Sequence, residues 1–112
     1  MVEAQWTTTS NCFEGFRIAR YLGLVRGVTV RSPGVGGSIS ASLSALSRGS
    51  VPEYVRLCEN AREEAFQLLL QHATSMGANA VIAVRYDANE LAQNLAEVLC
   101  YGTAVVIEAQ TG

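Results

Sequence analysis

The chain has 112 residues, enough for one domain with one core, and 49% of them are apolar while only 16% are charged, below the usual quarter. Its eight cationic side chains are all arginine and the formal net charge is −2, so it lacks the phosphate-neutralising excess that non-specific nucleic-acid binding requires. No apolar run reaches membrane-spanning length and the first residues have no basic-then-apolar leader; the expectation is a single domain over residues 1–112, cytoplasmic, with no membrane or nucleic-acid partner. Cys12, Cys58 and Cys100 are odd in number and contain no C-x-x-C pair, so they read as reduced thiols rather than a disulfide framework.

Residues 1–15 are polar and threonine-rich and predict a short extended piece over Gln5–Thr9, then a loop broken by Asn11 and Gly15. Trp6 is the single tryptophan and is expected to pack on the domain or on a neighbouring subunit. Phe16 to Arg31 reads as a strand. Gly23 and Gly27 within it mark a bulge, a bend or a close backbone approach. Arg17, Arg20, Arg26 and Arg31 recur along it, as on a strand at a sheet edge or facing another subunit; an anion-binding row is the functional alternative.

Ser32 to Gly49 is rich in glycine and serine. Gly34-Val35-Gly36-Gly37-Ser38 has some look of a phosphate loop but lacks the Lys-Ser/Thr ending. Ile39, Leu43 and Leu46 have helical spacing and predict a short helix over Ser38–Ser47.

A longer helix follows. Ser50 and Glu53 have capping-box spacing, Pro52 lies in the first turn, and Gly77 supplies the left-handed stop. Tyr54, Leu57, Cys58, Ala61, Ala65, Leu68, Leu69, His72 and Met76 fall on one side at 100° per residue, with Arg56, Asn60, Glu64, Gln67 and Gln71 opposite. Val55, Phe66, Leu70 and Ala73 widen the apolar arc. That second stripe predicts contact with another subunit beyond the chain's own sheet. His72, within the apolar face, reads as a core histidine before a metal ligand or proton carrier. Glu63 and Glu64 are adjacent on a helix and so do not face each other as an acid/base pair.

Ala80 to Tyr86 reads as a buried strand, Asp87 to Leu95 as a polar connection, and Ala96 to Glu108 as the longest strand. The last two strands are expected to pair as an antiparallel hairpin joined by more than a two-residue turn. Both faces of the last strand are apolar, so one needs the helix and the other a second cover.

Four segments together carry a family resemblance: Tyr21-Leu22-Gly23-Leu24-Val25-Arg26-Gly27, Ala61-Arg62-Glu63-Glu64-Ala65, Met76 through Asp87 with its Gly77-Ala78-Asn79-Ala80-Val81 run, and Glu97 through Val105 with Tyr101-Gly102-Thr103-Ala104-Val105. In this order and spacing, over roughly Thr7 to Glu108, the chain resembles the YbjQ-like family, small bacterial and archaeal proteins labelled heavy-metal-binding. The resemblance implies an α+β fold, a long helix packed on a small antiparallel sheet in a dodecin-like or YbjQ-like subunit that assembles as a ring, a homopentamer. It implies no established enzyme activity.

The functional expectation is therefore a non-catalytic homo-oligomer whose partner is itself, with a soft metal ion as the candidate ligand. A scaffolding assembly, or an enzyme with an intersubunit site using Arg85, Asp87, Glu97 or Tyr101, are the alternatives. A soft-metal site wants two to four converging thiolate or imidazole ligands. Cys100 and His72 are the candidate pair, since one lies on the final strand and the other on the sheet-facing side of the helix.

Overall fold

The computed structural model describes residues 1–31, 51–92 and 95–111. The short helix expected over Ser38–Ser47 and the Ser50 cap lie outside these residues. A 3-10 turn, Ala4–Trp6, precedes strand β1 (Phe16–Arg31), helix α1 (Val51–Ser75), strand β2 (Ala80–Ala92) and strand β3 (Leu95–Ala109). The three strands form one antiparallel sheet in the order β1-β3-β2, with α1 across one face. The fold is α+β.

Side-chain alternation along β1 decides which face meets the helix. Val25, Gly27 and Thr29 are buried, while Leu24, Arg26, Val28 and Val30 point the other way and are exposed. Ala61, Ala65, Leu69 and Ala73 form the matching buried row on α1, spaced by four residues. Small residues in that row let the two elements come close. At Gly27 the approach is backbone to backbone: a Cβ there would run into the Ala65 carbonyl and stand 2.6 Å from the Leu69 nitrogen. The glycine expected to mark a bend or a close contact marks a close contact. Two further bonds fix α1 on β1. Thr29 Oγ1 donates to the Ala61 carbonyl (3.4 Å), and His72 Nδ1 accepts the Arg26 N–H (3.1 Å).

The helix stop is of the predicted kind. Gly77 has φ +86°; its N–H donates to the Thr74 carbonyl and that of Ala78 to the Ala73 carbonyl, the two bonds of a Schellman motif. Asn79 then starts the sheet with its side chain. Its Nδ2 donates to the Ile107 carbonyl (2.9 Å) and its Oδ1 accepts the Ile107 N–H (2.8 Å), so the amide imitates a strand residue one position before β2 begins.

Three expectations change. Gln5 and Trp6, expected in an extended piece over Gln5–Thr9, belong to the 3-10 turn, and the extended backbone begins at Thr7, which bridges to Val81. The second stripe on the helix does not face outward: Leu70 is buried in the chain's own core and Phe66 is packed against it, because α1 lies low enough on the sheet for both stripes to reach it. The side chain of Val55 lies outside the described residues. The hairpin is also tighter than expected. β2 runs on to Ala92, which pairs with Leu95, so only positions 93 and 94 separate the strands. Asp87, Ala88, Asn89 and Glu90 are poor strand formers, but their ladder to β3 overrides that preference.

Gly27→Ala is expected to cost about 3 kcal/mol, the upper end for overpacking, because backbone rather than a flexible side chain blocks the added carbon. Gly77→Ala, which meets no atom within 4 Å, should lose only the left-handed preference, about 1 kcal/mol. Urea unfolding of the two variants measures the difference.

Candidate functional site: the uncovered end of the sheet

Away from α1 the sheet has two unlike halves. At one end Trp6 and Phe13 from the N-terminal segment, with Phe16 and Ile18, cover Ala80, Ile82, Val105 and Ile107. Trp6 meets Phe16 and Phe13 edge-on, with centroids 5.1 and 5.8 Å away. Trp6 thus packs on its own domain, and part of the second cover that the last strand needs comes from the same chain.

Main-chain bonds hold this segment against the edge of β2. Thr8 N–H donates to the Val81 carbonyl, Val84 N–H to the Thr8 carbonyl and Ala83 N–H to the Ser10 carbonyl. Ala83 has φ +54°, a left-handed conformation costing a non-glycine residue about 1–2 kcal/mol. It sits in the irregularity between Ile82 and Arg85. Gly102 lies against this irregularity: a Cβ there would be 2.9 Å from the Ile82 carbonyl. Arg85 completes the clamp, donating to the Thr9 (2.7 Å) and Val84 (2.9 Å) carbonyls.

At the other end no described residue covers the sheet. Leu24 is 64% exposed, Val30 50% and Val28 39%. Register places Thr103, Leu99 and Glu97 beside Leu24, Val28 and Val30, and puts Asp87 beside Leu99 and Arg85 beside Tyr101. Directly paired residues share a face, so an apolar row along β1 and β3 is bordered by charge from β2 and β3. Arg85, Asp87, Glu97 and Tyr101, the four polar residues picked from the sequence, are all on this face. Two are engaged locally, Arg85 as above and Asp87 through Oδ1, which accepts the Ala88 N–H. The apolar row itself escaped sequence reasoning; its signal was that the larger apolar side chains of β1, Leu24, Val28 and Val30, alternate with the smaller set Val25, Gly27 and Thr29 that faces the helix.

His72 and Cys100 both border the Arg26–Gly27 step of β1: His72 Nδ1 accepts the Arg26 N–H, and Cys100 pairs with Gly27. Cys100 is fully enclosed, and burial pushes its thiol above the ordinary 9.0, opposed by hydrogen bonding with Tyr86. A metal ligand must shed that proton, and His72 already spends one ring nitrogen on the backbone. Among the described residues no group of three or more His, Cys, Asp or Glu side chains is placed to hold a metal ion. His72 and Cys100 lie on opposite sides of β1, His72 at its free edge and Cys100 on its partner strand. All three cysteines are free, and no helix among the described residues is long and apolar enough to cross a membrane.

These features define a class: an α+β fold in which, among the described residues, one helix packs on a three-stranded antiparallel sheet whose other face is covered at one end. A solved protein of unknown function from Pediococcus pentosaceus, described as a member of the DUF74 family, shares the fold with a TM-score of 0.60 over 91% of this chain and 96% of its own, at 18% sequence identity. Residues 5–108 match the YbjQ family model, described as "Putative heavy-metal-binding", and the chain belongs to that family. Among its relatives are a UPF0145 protein of Legionella pneumophila (strain Corby), 51% identical over 89% of this chain and 95% of the relative, and one of Sulfurisphaera tokodaii, 49% identical over 89% and 88%.

Tyr86 is pushed up from 10.0 to about 12, first by burial and then by the neighbouring Cys100. Both groups hold their protons in the native state where the unfolded chain releases them. Their stabilising effect is thus complete below about pH 9 and is lost as pH rises through the native values. Urea midpoints followed from pH 8 to 11 should fall, and Tyr86→Phe should flatten the part of the fall above pH 10.

Proposed function

We propose that the protein is a non-catalytic, cytoplasmic, self-assembling subunit whose uncovered sheet end is the contact between copies. The observation that carries this reading is the Leu24–Val28–Val30 row, apolar and without cover among the described residues. Large contiguous apolar patches on soluble domains mark interaction surfaces. Supporting it, the long strands give a molecule of 59 × 22 × 20 Å with a radius of gyration of 17.0 Å, against about 13 Å for a compact domain of this length. Mixed charge at the border, Arg26 and Arg85 with Asp87 and Glu97, suits a surface that meets another copy of itself. The local commitments of Arg85 and Asp87 favour a structural over a catalytic role. A ring of five is the arrangement the family resemblance implies. Light scattering at micromolar concentration should give a multiple of the 12.0 kDa chain mass. Leu24→Glu with Val28→Glu should reduce that mass to one chain while leaving the far-ultraviolet circular dichroism unchanged. A wild-type protein that is a stable, soluble monomer defeats the proposal.

The family description favours a second role, binding of a soft metal ion. Cys100 and His72 are the candidate pair for it, and two ligands leave a soft-metal site half empty, so the rest have to come from water, from Cys58 of the same or another chain, or from other copies. Reduced wild-type protein titrated with zinc, cadmium and copper(I) is expected to bind more tightly than the Cys100→Ala/His72→Ala double variant. Equal binding removes this pair from any site, and no binding above background in the wild type removes the metal role from this chain.

A further inference from the structure

The covered end of the sheet holds a feature that neither role uses. Trp6, Phe16 and Ile107 border an open cleft of about 370 Å³, with Glu3 and Glu108 also lining it. That volume is within the range of small-molecule sites, about 300–1,000 Å³. Trp6 is fixed by two edge-on contacts, at 71° to Phe16 and 64° to Phe13, so its orientation costs a ligand nothing. Asn79 lines the cleft too, but its amide is spent on the Ile107 backbone at both ends. Polar recognition falls to the two carboxylates. Glu3 accepts only from the neutral Gln5 amide (2.6 Å) and forms no ion pair among the described residues. Glu108 gives Oε1 to Arg17. Two carboxylates therefore share one bonded countercharge, Arg17, beside an aromatic wall; Met1 also lines the cleft, but it is 93% exposed and its ammonium is ion-paired to neither carboxylate among the described residues.

Each simple class of ligand can be weighed against that arrangement. An anion is repelled by Glu3 and Glu108. A neutral apolar molecule would desolvate carboxylates and return nothing to them. A divalent metal ion has too few oxygen ligands here and makes no use of the indole. An organic cation uses both walls: its charge faces the carboxylates and its alkyl groups lie on the ring, the arrangement by which aromatic sites hold quaternary ammonium ions. We propose that the cleft between the N-terminal turn and the end of the sheet binds a compact alkylammonium cation.

Trp6 is the chain's single tryptophan, so its emission reports occupancy directly. Choline is the probe, and 3,3-dimethyl-1-butanol, of the same shape without the charge, is the control. Choline should change Trp6 emission saturably, with calorimetry giving the same affinity. The neutral alcohol should bind about tenfold more weakly and Glu3→Gln should weaken choline about fivefold, as expected for loss of a partly solvated charge contact. Glu3→Gln leaves the Trp6 packing and the Arg17–Glu108 pair intact, so its circular dichroism should match wild type. The proposal is overturned if the alcohol binds as well as choline, if Glu3→Gln binds choline unchanged, or if neither method detects saturable binding by about 20 mM, a concentration well above any useful affinity.

Discussion

The absence of a side chain at Gly27 is the constraint on which the rest depends. Because β1 presents bare backbone there, α1 descends until its Ala65–Leu69 turn touches the strand. That depth brings Phe66 and Leu70 into the core, places the Ala61 carbonyl within reach of Thr29 and sets His72 against the Arg26 amide. A helix held one side chain higher would keep its second stripe exposed and leave a buried threonine hydroxyl without a partner, at a cost of about 1–3 kcal/mol.

Much of this was legible in the residues. The bounds of β1, the glycine stop and the antiparallel pairing of the last two strands follow from period, turn chemistry and β propensity. What escaped depends on non-local pairing. Asp87 to Glu90 have no strand signal of their own and are strand because β3 lies beside them. The apolar flank of α1 was assigned outward because helical period gives direction around an axis but not the depth at which the axis lies. The N-terminal cover was equally silent: nothing in Thr7 to Ser10 announces that their carbonyls will meet Val84 and the left-handed Ala83 some 75 positions on.

The candidate site was legible only in part. Arg85, Asp87, Glu97 and Tyr101 were picked for their chemistry and do share one sheet face, because alternation is fixed once the hairpin register is set. Their surroundings were not readable, since Arg85 is aimed at a main-chain carbonyl that no sequence pattern marks. The family's glycine- and asparagine-containing runs also gain a physical account. Gly77 closes the helix, Asn79 lengthens the ladder and Gly102 makes room for the irregularity in β2. The two glycines are explained by backbone geometry and Asn79 by its side-chain bonds to Ile107, and none requires a ligand.

The strand order has a consequence for biogenesis. β3 lies in the middle of the sheet, yet it is the last of the three strands to leave the ribosome. Until it emerges, β1 and β2 have no partner in the sheet, since neither pairs with the other. Nor can the Trp6 cover close, because Val105 and Ile107 beneath it belong to β3. Assembly of the sheet therefore waits for β3: the contacts join distant positions and form together rather than in sequence. During that interval β1, with valine and leucine on both faces, is the segment most exposed to wrong pairing between nascent chains, and the arginines spaced along it are the charges that oppose such pairing.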